Sequence, residues 1–426
     1  MFKKIKGRFK EEKYIPKRTV ISYEDMPLDD YEQEKTEISP KLIRKIIFAV
    51  LGAVLLALIV FAFVNREKLT WSNINVWWKY EMMGVKGNGY PLNIVGSEVE
   101  SGNIAVHQGR IAYASDTSFV TLNSTGGEVC NLQLRHTRPV MKASDNRYLI
   151  FGLGENNYQL QTFDETIYSG NAEGSIFAAD IAQNGKYCMA VEGNGFYSEL
   201  YAYDRDNNRV FKYSFAEYYI NSVAIKLNGS GCIASGISNN NGEIKTGIYV
   251  LDFSKEEPVA KYELAGNYII DSKFISNNRA VLVGDSASYI YKTDADVLEL
   301  VDYGGMPLTN YCFAPSAGTF SLALSKSGDG RSCNLITYDD DGVPVIVADT
   351  AVGSESLSTY NGTTATLDNN TLYVYDRDGE LCYTGSAGAG AKRVLLSSEK
   401  EAFVLSVNQI RKIDLTRAST PDSAAE

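Results

Sequence analysis

Apolar residues follow two different rhythms along this chain, and the switch between them organises the rest of the reading. From Ile46 to Val64 (IIFAVLGAVLLALIVFAFV) nineteen consecutive residues carry no charge, close to the roughly 20 that an α-helix needs to cross a hydrocarbon core of about 30 Å. One transmembrane helix is therefore expected over 46–64. No other run approaches this length. Beyond Gly87 the pattern becomes short alternating or β-branched runs separated by Asn, Gly, Asp and Ser, which predicts strands and turns throughout.

Those strands repeat. An alternating apolar run ending in Asp or Asn before a turn recurs at Asn123, Asp164, Asp204, Asp252, Asp294, Asp339, Asp376 and Asp414, with intervals of 41, 40, 48, 42, 45, 37 and 38 residues. A period near 42 is that of a four-stranded propeller blade. After most marked ends a turn such as DRDNNR, DDDGV or DRDGE leads into a further strand, and two strands precede each marker. The expected fold class is all-β: a β-propeller of eight four-stranded blades over residues 90–415, preceded by the transmembrane helix. Seven blades is the alternative, because the units ending at Asn123 and Asp164 are irregular. The last unit lacks a fourth strand before the tail at 416–426, expected to be disordered, and the spare segment Tyr90 to Val95 (YPLNIV) is expected to complete it. N- and C-terminal pieces then share one blade, and the ring closes without long unprotected edges.

Between span and ring, residues 65–89 form an aromatic juxtamembrane segment. All three tryptophans lie there (Trp71, Trp77, Trp78), and the spacing Trp71, Ile74, Trp78, Met82 is helical. Either the segment rests at the membrane surface, a zone favoured by Trp and Tyr, or its aromatics plug one end of the ring.

Charge orients the molecule. Residues 1–45 hold 12 Lys and Arg against 9 Asp and Glu, with Lys41, Arg44 and Lys45 beside the span, leaving 29 against 43 beyond it, a net charge of −14. Lys and Arg near a span are retained on the cytoplasmic side, so the tail at 1–45, with little to bury, is placed in the cytoplasm and the ring outside, in a single-pass plasma-membrane protein. A cleaved signal peptide ending near Val60-Phe61-Ala62 is the competing reading, but its apolar stretch and its preceding tail are both too long. The acidic body lacks the clustered Lys and Arg that nucleic-acid phosphates require.

Catalytic signatures are sparse. The two histidines, His107 and His136, offer little for a triad or a three-histidine metal site, and are read as exposed or strand-end imidazoles. Six cysteines (Cys130, Cys188, Cys232, Cys312, Cys333, Cys382) form no CxxC pair and are read as buried free thiols in apolar strands. The loops opening at Asp204, Asp339 and Asp376 resemble the start of a calcium loop, yet the twelfth positions are Phe215, Thr350 and Ala387 rather than glutamate; hairpin turns explain them better. Ser397-Ser398-Glu399-Lys400 has the SxxK spacing without its companion motifs, and the GSAGAG run at Gly385 to Gly390 reads as a link between blades. No catalytic, cofactor-binding or metal residues are assigned, and no cofactor. Among 28 tyrosines, Tyr201, Tyr203, Tyr249, Tyr289, Tyr291, Tyr338, Tyr373 and Tyr375 sit on marker strands, where blade packing is the plain reading and a surface for glycan or protein the sharper one.

The phrases NINVWWKYEMMG, GYPLNIVG, SGNIAVHQGRIAYASDTSFVTLNSTGGEV and NRYLIFGLGENNYQL give the stretch from Trp71 to about Leu415 a further meaning. It resembles the domain-of-unknown-function 5711 family, single-span, propeller-like proteins of Gram-positive anaerobic bacteria. The resemblance implies placement and architecture and carries no activity. The expectation is a non-enzymatic binding or scaffold module at the cell envelope, held in the lipid bilayer by 46–64 and meeting an envelope protein or glycan; the alternative is a propeller hydrolase or lyase acting on envelope glycans.

Overall fold

A computed structural model describes residues 44–45, 47–52, 54–56, 78–82, 84–240 and 242–416, and the chain divides into two compact units, 1–71 and 72–426. In the first unit the described residues are helical and expose Ile47, Phe48, Val50, Leu51, Val54, Leu55 and Leu56. Among the described residues no helix is long and apolar enough to cross a membrane. The remainder of the expected span, the tail at 1–43, Trp71, Trp77 and residues 417–426 lie outside the described residues.

In the second unit, eight antiparallel four-stranded sheets form the blades of a propeller. Blades 1 to 7 span 104–133, 139–171, 176–215, 219–265, 269–302, 308–349 and 356–386, and blade 8 spans 391–414. Every marker residue lies at or just past the end of its blade's third strand, Asn123 and Asp164 included. At Asn123, Asp204, Asp252, Asp339, Asp376 and Asp414 the reason is turn chemistry, since Asp and Asn side chains accept from backbone amides two residues on; Asp164 instead engages Thr162 and Lys79, and Asp294 engages Arg279. Asp204 Oδ1 accepts from Asp206 N (2.9 Å) and Asn208 N (2.8 Å), Asp339 Oδ1 from Asp341 N (3.0 Å) and Val343 N (2.8 Å), and Asn123 Oδ1 from Gly127 N (2.7 Å). The fourth residue of these turns has positive φ, as at Asn207 (68°), Gly342 (82°) and Gly379 (80°), which is why Asn or Gly recurs there.

Closure occurs where the spare segment predicts it. Leu92–Asn93 pairs antiparallel with Gln409–Asp414 in the register Leu92 to Ile410, becoming the outer strand of blade 8. The strand is shorter than YPLNIV, but Ile94 N also donates to Asn408 O (2.9 Å), and the Tyr90 ring meets Phe403 edge-on at 5.3 Å.

Burial explains the composition of each strand. Second strands such as Arg110–Ala114 and Tyr187–Glu192 are covered on both faces by neighbouring blades and are almost wholly buried, whereas fourth strands such as Ala260–Ala265 alternate between half-buried and exposed positions. The buried clusters bridge adjacent blades: Leu149, Phe151 and Leu160 of blade 2 pack with Ile176, Tyr187 and Met189 of blade 3, each such side chain contributing about 1.5 to 3 kcal/mol on burial. Polar side chains join blades nearer the axis. Asn103 Nδ2 donates to Pro139 O (2.7 Å), Asn221 Nδ2 to Ile269 O (2.7 Å) and Asn310 Nδ2 to Glu355 O (2.9 Å), while Ser356 and Ser358 accept from Val394 N and Leu396 N, both at 3.0 Å.

Three expectations need correction or sharpening. Cys188, Cys232, Cys312 and Cys333 are buried, but Cys130 is half-buried and Cys382 is exposed on an outer strand; all six are free. His136 is neither exposed nor at a strand end: it is buried (4% exposed) in the link after blade 1, with Nδ1 3.3 Å from Glu155 Oε2. In the aromatic segment, Trp78–Met82 forms one helical turn. Tyr80 is buried against Phe163 (ring centroids 5.3 Å apart) and Lys79 pairs with Asp164, so this part of the segment packs on the ring.

Candidate functional site

The first strand of each blade faces the axis, and the charged residues on these strands converge. Lys142 of blade 2 reaches Asp271 of blade 5 at 3.8 Å. Those blades are three places apart in a ring of eight, so the pair spans the channel. Lys273 Nζ of blade 5 bonds Asp180 of blade 3 at 2.5 Å; Asp180 is 1% exposed and also accepts from Ile225 N of blade 4 (3.0 Å). Tyr311 of blade 6 donates to Asp271 Oδ2 (3.3 Å). Asp271 holds the Lys142 ammonium above its ordinary pKa against the effect of burial, and burial, aided by Asp271, raises the Tyr311 phenol. Carboxylates here are matched by cations, as buried charge requires, and the arrangement ties blades 2 to 6 together.

The ends of the ring differ. Strands alternate in direction within a blade, so hairpins joining first to second and third to fourth strands lie at one end, the turn face. Hairpins joining second to third strands lie at the other, with the blade-to-blade links; this is the link face. On the link face, blades 3 to 5 present a run of exposed apolar side chains: Phe196 and Tyr197 (45% each), Tyr219 (52%), Tyr268 (37%), Ile270 (40%) and Ile244 (60%). Contacts tie its tyrosines across the three blades. Tyr197 and Tyr219 meet edge-on with centroids 4.7 Å apart, bridging blades 3 and 4, and Asn221 Nδ2 donates to Tyr268 Oη (3.0 Å), bridging to blade 5.

Local backbone explains this exposure. The first strand of blade 5 shifts register between Ile269 and Asp271, and a bulge re-aims the extra side chain: Ile269 is buried while its neighbour Ile270 is exposed. In blade 4 the strands Gly231–Asn240 and Glu243–Asp252 are ten residues each against the usual six, so their hairpin projects about 13 Å further at 3.3 Å per residue. Gly247 makes the base of that hairpin possible, since a Cβ there would lie 2.7 Å from the Tyr218 ring. Tyr218 is buried and donates to Glu263 (2.8 Å), leaving its neighbour Tyr219 outside.

Two clefts accompany these features. The larger, about 780 Å³, lies on the turn face between blades 8 and 1 and includes Ser398, Lys400, Glu401 and Lys412. Its polar groups engage one another: Lys412 pairs with Glu401 (2.7 Å), Ser397 donates to Glu401 (2.8 Å) and Ser398 accepts from Lys400 N (3.2 Å). The SxxK residues are thus the hairpin turn expected, with Ser397 bonded to a carboxylate. The smaller, about 380 Å³, lies on the link face between blades 1 and 2 and is lined by Arg135, His136, Asn157 and Tyr158 among others.

The remaining candidates fall apart spatially. His107, at the end of Ile104–His107, and His136 occupy opposite faces. The carboxylates of Asp204, Asp339 and Asp376 each accept from their own turn amides. Among the described residues no group of three or more His, Cys, Asp or Glu is placed to hold a metal ion. Of GSAGAG, Gly385 and Ser386 belong to the last strand of blade 7 and the rest links to blade 8. The marker tyrosines pack between blades, as Tyr249 of blade 4 does edge-on against Phe215 of blade 3 (5.0 Å), or stack on the next strand of their own blade, as Tyr203 does on Tyr187 (4.9 Å) and Tyr338 on Phe320 (5.1 Å). Sequence reading missed the aromatic run on the link face, because Phe196 and Tyr197, Tyr219 and Tyr268 come from three segments that share no motif.

Comparison with known proteins adds the following. A model described as a family of unknown function (DUF5711) matches residues 86–415. No curated protein matches the chain. Among solved structures, a eukaryotic initiation factor superposes with TM-score 0.52 at 10% identity, covering 80% of this chain and 90% of its own. The β-propeller domain of Myceliophteria thermophila Cps50 (Swd1) gives 0.46 at 10% identity, and Kuenenia stuttgartiensis hydrazine synthase 0.45 at 11%, each covering 76% of this chain and 99% of its own. At such identity the first likeness speaks for the fold alone.

Proposed function

We propose, for a chain that belongs to the family of unknown function DUF5711, a role as a membrane-anchored scaffold whose propeller lies outside the plasma membrane and docks a partner of the cell envelope. The exposed aromatic run across blades 3 to 5 carries the docking part of this reading: Tyr and Phe are enriched at protein interfaces because they supply large contact area at low conformational cost. The apolar stretch 46–64 and the basic flank before it support the anchor and its orientation. A rigid closed ring suits this role, since it holds its surface loops in fixed positions.

Two measurements test it. Intact cells treated with a membrane-impermeant amine reagent are expected to show modification of exposed Lys255, with Lys3 and Lys4 modified only after lysis; the reverse pattern overturns the placement. A photo-crosslinking residue at Tyr219 is expected to capture a reproducible envelope partner where one at Asp340, on the turn face, does not. Equal capture from both faces overturns the docking assignment.

A further inference from the structure

Resting on that docking reading, we infer that the link face of blades 3 to 5 receives a cationic protein segment bearing apolar side chains. Two sets of observations meet here. The first is the aromatic run itself, bounded on one side by the projecting hairpin of blade 4, with Ile244 exposed beside its tip and Tyr219 at its base. The second is charge. The loops around the run carry Glu192, Glu217, Glu243, Glu263 and Asp285, with Lys245 as the one basic residue among those segments. Lys245 is engaged with Glu263 (2.6 Å), Asp285 accepts from Tyr268 N (2.9 Å) and Glu192 accepts from Ser175 (3.0 Å). Glu217 and Glu243 are exposed, and their carboxylates make no hydrogen bond or ion pair with any described residue.

The surface is therefore apolar at its centre and negative at its rim, with two carboxylates bonded to none of the described residues. Electrostatic complementarity selects the partner's sign and accelerates encounter, while the aromatic centre supplies contact area that a purely ionic partner could not cover. Arg and Lys also interact favourably with Tyr and Phe ring faces. A segment interleaving Lys or Arg with Phe, Leu or Ile satisfies both requirements; an acidic or purely polar one satisfies neither.

The test uses the purified full chain in detergent and two fluorescent twelve-residue peptides with identical Phe and Leu positions, one with Lys between them and the other with Glu. The Lys peptide is expected to bind at least about tenfold tighter, equivalent to about 1.4 kcal/mol, and more weakly as salt rises. The double change Tyr197→Ser with Tyr219→Ser is expected to lower its affinity by about tenfold or more. Glu217→Gln with Glu243→Gln is expected to weaken binding and flatten the salt dependence, whereas Asp340→Asn with Asp378→Asn on the turn face leaves both unchanged. Equal binding of the two peptides, indifference to the tyrosine changes, or an equal effect of the turn-face changes would each reduce the attraction to general charge and overturn the inference; circular dichroism confirms that the variants are folded. Because these arms use purified protein, they are independent of where the ring lies in the cell. A Tyr219 crosslink to an acidic segment would defeat this inference alone, and a failed surface labelling would defeat the placement alone.

Discussion

The turn face and the link face are built from the same eight blades, yet they differ in how closely they repeat from blade to blade. On the turn face, Asp204, Asp252, Asp339 and Asp376 direct their carboxylates onto the amides of their own hairpins, and the lysines and serines around the larger cleft engage Glu401 or one another. On the link face, the blade 4 hairpin is lengthened, aromatic rings stand exposed across blades 3 to 5, and the carboxylates of Glu217 and Glu243 bond none of the described residues. Repetition marks groups whose work is local, and departures from it mark groups available to something else, in line with the expectation that breaks in local consistency concentrate at functional sites.

The sharpest way to break the comparison is to attack what both faces share. Asp180 is buried, paired with Lys273 and bonded to Ile225 N; Asp180→Ala leaves an uncompensated ammonium in the channel wall and is expected to cost about 3 to 5 kcal/mol, read by chemical denaturation. A loss below 1 kcal/mol would mean that the channel pairs do not hold the blades together. A turn-face change is expected to be milder. Asp339→Ala removes two acceptor contacts, to Asp341 N and Val343 N, and is expected to cost about 1 to 2 kcal/mol while peptide binding at the link face stays unchanged.

The contrast also explains what could be read from the sequence. The markers at roughly 42-residue intervals revealed the blades because the same turn chemistry recurs at six of the eight places, and even Asn123 performs it. The spare strand at Leu92–Asn93 was legible because a blade short of one strand demands it. The channel set was not, since Lys142, Asp180, Asp271 and Lys273 are brought together only by ring closure. Nor was the aromatic run, whose exposure depends on the register shift at Ile270 and the length of the blade 4 hairpin. His136 escaped for a related reason: a link residue is buried or exposed according to its neighbouring blades, and Glu155 of blade 2 covers it.

His107 offers a gentler probe of the turn face through pH. Burial lowers its pKa below the ordinary 6.5, opposed by Asp145 at 3.8 Å, and its Nε2 is buried without a hydrogen-bond partner among the described residues. A depressed folded pKa means the unfolded chain takes up the proton first, so this contribution is fully present above about pH 6.5 and is lost as pH falls through the folded value. Wild type is expected to lose stability with acid in that window with a slope of at most about 1.4 kcal/mol per pH unit from this group, and His107→Gln is expected to flatten it; an unchanged slope would assign the acid sensitivity elsewhere.

The smallest expected effect is the most discriminating. Glu217 is exposed and its carboxylate bonds none of the described residues, so Glu217→Gln is expected to leave the unfolding midpoint within the equivalent of about 0.5 kcal/mol of wild type. Its presence beside Tyr218, whose phenol burial and Glu263 push upward in pKa, means the change removes negative potential at the aromatic run without removing a bond. If Glu217→Gln destabilised the ring as much as Asp339→Ala, the residue would belong with the structural carboxylates of the turn face, and the difference between the two faces would be one of sequence regularity rather than of available chemistry.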